Sequence, residues 1–249
     1  MAEAKRRRLT LTHCYLCGDL LCEPINYDHV PPSMFYGADV RRKYQLKLLT
    51  IPVHQPCNSQ WQKDEEYFVY TFMPFVVGSE GGNAVWNDHV TRLKAGRNLP
   101  LANAVSQEFR KQIGGVHLPP TKVAKLIEAD RVHDVVWKLI RGLHFHRTRE
   151  ILPSRWTLAL TITPPGEKPP EEFVAFTASG LFKSHGEYPG VFAYTFATFP
   201  EVNNLHYWAM LLWDRILITA AFHDVACPCD ACSLIGPTLP ESLHGTIKE

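Results

Sequence analysis

The sequence predicts an α+β protein, with a compact N-terminal unit followed by a helical segment and an antiparallel, β-rich C-terminal part. Three observations predict it. Cysteine and histidine pairs cluster near the start, one long stretch with helical periodicity lies in the middle, and β-branched or aromatic runs broken by turn residues fill the end. At 249 residues, with 45% hydrophobic and 20% charged, the chain is apolar enough for a core and long enough for two modest domains. We place these at residues 1–75 and 76–249.

The first unit reads in order as a Cys-x-x-Cys knuckle, a short apolar stretch ending at Val30, a Pro31-Pro32 turn, a basic loop, a strand over Leu48 to Val53, and a helix from Asn58. Between 78 and 120 the glycines at 81, 82, 96, 114 and 115 and the Pro119-Pro120 pair break any long element. A connecting region with one or two short helices is expected there. From Thr121 to Arg147, apolar residues such as Val132, Val135, Val136, Leu139, Ile140 and Leu143 recur at steps of three and four, which predicts a helix with one buried face. After Pro153 the texture predicts strands over Trp156–Thr163, Phe173–Thr177, Val191–Thr198, Leu205–Trp213 and Ile216–Phe222. A proline-rich linker from Thr163 to Pro170 separates the first two, and the last two read as a hairpin turning at Asp214-Arg215, with the long helix packed on the sheet.

The net charge of +1 hides two basic runs, Lys5 to Arg8 and the group Arg41, Arg42, Lys43 and Lys47. Either could meet phosphate or simply be a solvated face. No apolar run of about 18 residues occurs and no apolar segment follows the N-terminal charges, so neither a membrane span nor a signal peptide is expected, and the location is read as cytoplasmic. Seven cysteines without a secretion signal favour metal over disulfides.

Two ligand pairs, Cys14-x-x-Cys17 and His54-x-x-Cys57, offer four nitrogen and sulfur donors, the set that suits tetrahedral Zn²⁺. With every position filled by protein the ion would be structural, holding a unit too small for much core of its own. Between the pairs stands Asp28-His29-Val30-Pro31-Pro32, and directly after the last ligand comes Asn58. Hydrolysis of a phosphodiester needs a base to activate water and a cation to offset charge on the phosphate. A neutral imidazole at His29 can take a proton near pH 7, and the oxygens of Asp28 and Asn58 suit a hard divalent ion.

The segments CYLCG, YDHVPPSMF, LLTIPVHQPCN and KDEEYF, within residues 14–68, resemble the HNH endonucleases of the ββα-metal superfamily, in the subgroup with a Cys-x-x-Cys zinc site. About a fifth of the chain carries this resemblance; more weakly, WKLIRGLHFHRTREILP and YWAMLLWDRILITAAF look similar to the accessory region of standalone bacterial HNH proteins. The resemblance implies His29 as general base, Asp28 and Asn58 as ligands of one Mg²⁺ or Mn²⁺ and catalytic residues with it, and structural zinc on Cys14, Cys17, His54 and Cys57. It further implies DNA as partner, products with 5′-phosphate ends, and a setting in restriction or anti-phage defence. Arg41, Arg42, Lys43, Lys47 and Lys63 are the expected nucleic-acid contacts, and one acid among Asp64, Glu65 and Glu66 is placed to support the metal.

Two departures stand out. The middle asparagine of the family pattern should fall near Lys47, and no asparagine lies between Asn26 and Asn58, so another group must brace His29. His54 occupies a position where cysteine is common, which leaves open an arrangement with His54 on the catalytic ion and Cys22 as fourth zinc ligand. Cys227, Cys229 and Cys232, with His223 before them, have the look of a second zinc site or of loose tail cysteines. His144, His146, Arg147 and Arg149 read mainly as polar residues leaving a helix. Two rivals remain, a non-catalytic zinc module that binds nucleic acid or a protein, and an RNA-cleaving nuclease; the C-terminal part is read as a surface for a homo-oligomer or a regulatory partner.

Overall fold

A computed structural model describes residues 12–153, 158–178, 184–188, 190–201 and 205–223. The Lys5–Arg8 run and the Cys227/Cys229/Cys232 cluster lie outside the described residues. The architecture is α+β, as expected, with helices against antiparallel sheets.

Strand β1 (Ile25–His29) pairs antiparallel with β2 (Thr50–His54), in the register Ile25↔His54 and Asp28↔Ile51. The chain between them is not simply a basic loop. A single 3₁₀ turn at Ser33–Phe35 leads to helix α1 (Ala38–Tyr44), which carries Asp39 in its first turn and Arg41, Arg42 and Lys43 in its last. That charge order complements the helix dipole, and Gln45 closes the helix in the left-handed region at φ 49°. After β2 come α2 (Gln55–Ser59), with Pro56 in its first turn, and α3 (Gln62–Phe72).

The glycine-rich stretch forms more helix than expected: α4 (Glu80–Lys94) and α5 (Leu99–Gln107). Gly82 lies in the first turn of α4, where its amide donates to the capping Ser79 Oγ at 3.0 Å, and a Cβ there would stand 1.9 Å from the Val76 carbonyl oxygen. The glycine permits a close approach and breaks nothing. Four two-residue strands follow, β3 (Phe109–Arg110), β4 (Gln112–Ile113), β5 (Val116–His117) and β6 (Ala124–Lys125), with β3 paired to β6 and β4 to β5.

Helix α6 (Ala129–Thr148) starts eight residues later than periodicity predicts. The segment before it is held away from the helix by the β3–β6 pairing and by an ion pair between Lys125 and Glu108. Strands β7 (Ala159–Thr163), β8 (His185–Tyr188), β9 (Phe192–Phe199), β10 (Leu205–Leu212) and β11 (Ile216–Phe222) form one antiparallel sheet in the order β7-β11-β10-β9-β8. The segment Phe173–Thr177, expected as a strand, is instead helix α7 (Glu171–Ala178). Pro169-Pro170 ahead of Glu171-Glu172 is a helix-start signal, and it outweighs a short apolar run that fits either period.

Helix α6 lies between the two parts of the chain. One side meets the sheet, where the Trp137 ring packs edge-on to Phe222 with centroids 5.1 Å apart. Another meets the N-terminal unit, where Tyr15 stacks with Phe145 and a Cβ on Gly142 would lie 2.8 Å from a Val30 methyl. The β10–β11 turn also reaches the first unit. Trp213, at φ 54° and fully buried, donates from Nε1 to the Phe35 carbonyl at 2.8 Å, so packing and a hydrogen bond hold a bulky residue in a strained conformation. Among the described residues one buried cluster therefore joins Tyr15, Val30 and Phe35 to Val135, Leu139, Trp208 and Trp213. Among the described residues no helix is long and apolar enough to cross a membrane.

Candidate functional site

The knuckle folds tightly because Gly18, at φ 90°, lets its amide return to the Cys14 carbonyl at 2.8 Å, while the Cys14 amide donates to Asp19 O at 2.8 Å. This brings Cys14 and Cys17 onto the junction of β2 and α2, where His54 ends the strand and Cys57 sits in the first turn of the helix. One ligand atom from each of Cys14, Cys17, His54 and Cys57 lies within 4.8 Å of the other three. A tetrahedral zinc site with bonds of about 2.0–2.3 Å has ligand atoms a little under 4 Å apart, so the group could hold such an ion.

The histidine is oriented for it. Its Nε2 lies 3.0 Å from the Leu20 carbonyl and 3.2 Å from the Cys22 amide, which turns Nδ1 toward Cys17 Sγ at 3.3 Å and Cys57 Sγ at 3.9 Å. Burial pushes the thiols of Cys17 and Cys57 up, Cys17 to about 12, and the neighbouring Cys14 adds to both. A cation entering the cluster would replace those protons. Cys22 lies on the opposite, Nε2 side of His54, with Sγ at 3.5 Å, and is not one of the four clustered ligands.

The second centre adjoins the first. Asp28 and His29 end β1, Asn58 sits in α2 just past Cys57, and all three border one polar recess of about 200 Å³. Glu65, one turn into α3, borders the same recess. His29 is half-buried. Its pKa is lowered first by desolvation and then by the charges of Arg41 and Lys138, which together outweigh the opposing pull of Asp28. The imidazole is therefore neutral at pH 7 and able to accept a proton.

Asp28 is 3% exposed, and both carboxylate oxygens are engaged. The Tyr15 hydroxyl donates to Oδ2, and Lys138 Nζ, from the middle of α6, donates to Oδ1 at 2.8 Å. Lys138 also donates to Glu65. Burial pushes the Glu65 carboxyl up while Lys138 pulls it down. Arg141, one turn further along α6 and 1% exposed, donates to the Tyr15 and Leu16 carbonyls at 2.7 and 2.8 Å. Helix α6 thus clamps the knuckle and reaches, from behind the recess, the two carboxylates that border it. An ionised carboxylate has about four acceptor positions, so Asp28 keeps capacity beyond these two bonds. Two carboxylates and an amide oxygen around a polar recess fit a hard divalent cation in kind, with an ammonium beside them.

Among the described residues no side chain takes the place of the asparagine expected near Lys47. Among the described residues the His29 imidazole has no hydrogen-bond partner, and Lys47 is exposed. Of the expected nucleic-acid contacts, Arg41 stands near enough to His29 to act on its charge. Arg42 pairs with Asp39 at 3.2 Å, Lys43 is held by Glu80 at 2.5 Å, and Lys63 is exposed while Arg131 binds its carbonyl.

Tyr15 and Lys138 are absent from the sequence expectations. Lys138 did leave a signal, since it and Arg141 fall amid the apolar repeat from Val132 to Leu143, where cations are rarely buried unless they have partners. Compared with protein-family models, with curated proteins and with solved structures, the chain matches none.

Proposed function

We propose that this protein is a zinc-stapled endonuclease of HNH type that hydrolyses phosphodiester bonds in DNA. The observation that carries the reading is the meeting of Asp28, His29 and Asn58 around one recess, directly beside the Cys14/Cys17/His54/Cys57 cluster. Zinc on the four clustered ligands would fix the hairpin that ends in His29 to the helix that carries Asn58. His29 acts as general base, taking a proton from the attacking water through its neutral imidazole. Asp28 and Asn58, with Glu65 close by, would hold one Mg²⁺ or Mn²⁺, which when bound offsets charge on the phosphate and on the departing oxygen. Tyr15 keeps the Asp28 carboxylate in place against the recess, and Arg41, Lys47 and Lys63 supply positive charge for the nucleic-acid backbone.

One observation favours a second reading, a zinc module that binds nucleic acid without cutting it: the His29 imidazole lacks a bracing partner among the described residues. The two separate in one assay. Supercoiled plasmid incubated with the purified protein and Mn²⁺ or Mg²⁺ is nicked or linearised under the nuclease reading, and EDTA stops it. Retention of plasmid in a gel shift without any nicking, on DNA and on RNA alike, supports the binding module.

A further inference from the structure

We propose that Lys138 is a positioning residue of this site that couples cation binding to nucleic-acid binding, an inference that rests on the nuclease reading above. Its ammonium bridges Asp28 and Glu65, with side-chain exposures of 3% for Lys138, 4% for Asp28 and 13% for Glu65. The lysine cannot easily withdraw. Helix α6 is fastened on one side by Arg131, whose Nε meets Asp64 at 2.7 Å and whose NH2 meets the Lys63 carbonyl, and on the other by Arg141 on the knuckle.

The consequence follows from charge. Two carboxylates and one ammonium leave a single net negative charge on three largely buried side chains. A divalent cation alone turns that into a net positive charge, with the fixed ammonium opposing its approach. A phosphodiester, carrying one negative charge, restores neutrality. Cation and nucleic acid therefore each strengthen the binding of the other, by the same factor. Without the ammonium the cation alone neutralises the two carboxylates, and the advantage given by the phosphate shrinks. Lys138 thus makes the site a weak cation trap by itself and a strong one with substrate in place. A buried ion pair that only holds the fold together would not produce this coupling.

The test uses the full chain with zinc bound and the substitution His29→Ala, so that bound nucleic acid stays intact, and counts free Mn²⁺ by electron paramagnetic resonance. Titrations are run alone, with a short DNA duplex, and with a single-stranded RNA. Nucleic acid of the accepted kind is expected to tighten Mn²⁺ binding by roughly tenfold, within the range usual for coupled sites. Lys138→Gln, which keeps a hydrogen-bond donor and removes the charge, is expected to bind Mn²⁺ roughly tenfold tighter without nucleic acid and to lose most of the coupling. Lys138→Arg should keep both properties of the parent. An unchanged or weaker Mn²⁺ affinity in a folded, zinc-bearing Lys138→Gln protein overturns the proposal. Should that variant fail to fold, the parent still decides, because Mn²⁺ affinity indifferent to both DNA and RNA overturns the coupling and leaves the nuclease reading standing. Absence of Mn²⁺ binding under every condition overturns the proposal and the divalent-cation site together.

Discussion

At Asp28 both carboxylate oxygens are taken, by the Tyr15 hydroxyl and by Lys138. His29 beside it is left neutral by desolvation and by nearby cations. The acid limb of the cleavage rate should therefore lie below pH 6.5, the ordinary histidine value, because protonation of the base is postponed to lower pH. Initial rates between pH 5 and 8 check this, and a limb above 6.5 contradicts it. Arg141 supports the site from behind, and Arg141→Met would leave two buried knuckle carbonyls without donors. A loss of roughly 3 kcal/mol in urea unfolding is expected, at about one to three for each unsatisfied group. At this scale the legible residues were those inside short segments. Asp28, His29, Asn58 and the Cys14, Cys17, His54 and Cys57 group stand in motifs whose spacing suggests chemistry. Tyr15 and Lys138 reach the site through the fold, and Lys138 is 110 positions from Asp28 in the chain, beyond what local spacing can show.

Elements bear the next level of the account. The β1–β2 hairpin has only two strands, and isolated hairpins are marginal in water, so the Cys14/Cys17/His54/Cys57 group at its open end and α6 on its side must hold it. Removing zinc with a strong chelator, or substituting Cys57→Ser, should abolish amide-exchange protection over residues 25–54 while leaving the β9–β10–β11 core protected for longer. Uniform loss of protection across both regions would show that the cluster is not a local staple. Packing at α6 gives a second check, since Gly142→Val would drive a side chain into Val30 and the Tyr15 hydroxyl. Overpacking of this kind costs roughly 1–3 kcal/mol, read as a lower unfolding midpoint. Elements with one strong signal are legible: the three- and four-residue period in the body of α6, and the β-branched and aromatic runs on either side of Asp214-Arg215 in β10 and β11. Those resting on flanking chemistry are not: the α7 segment reads as a strand and the α1 segment as a loop, because short runs fit more than one period and the cap decides.

For the whole molecule, buried histidines set the response to acid. Burial lowers His89 to about 4 and also lowers His144, where His206 adds to the effect. Below pH 6.5 the unfolded chain takes up protons that the fold refuses, so stability is complete above 6.5 and is lost as pH falls toward 4. Each such histidine contributes up to about 1.4 kcal/mol per pH unit within its window. Thermal unfolding followed from pH 7 to 4.5 should show the decline, and His89→Gln should flatten it; an unaltered slope contradicts the assignment. The α+β class was legible from composition and order, whereas the continuity of the core was not. Trp213 on Phe35 and Gly142 against Val30 join distant segments, and no local pattern announces such contacts. We propose His29 as the base of a nuclease site built on a zinc-held hairpin. Plasmid cleavage with Mn²⁺ by the wild-type chain and by His29→Ala, with zinc content and unfolding midpoint measured on both, tests it most directly. The account predicts cleavage by the wild type and a loss of at least about a hundredfold in the variant, with zinc and midpoint unchanged. Equal cleavage by the two proteins, or none by either on DNA or RNA while zinc remains bound, would contradict it.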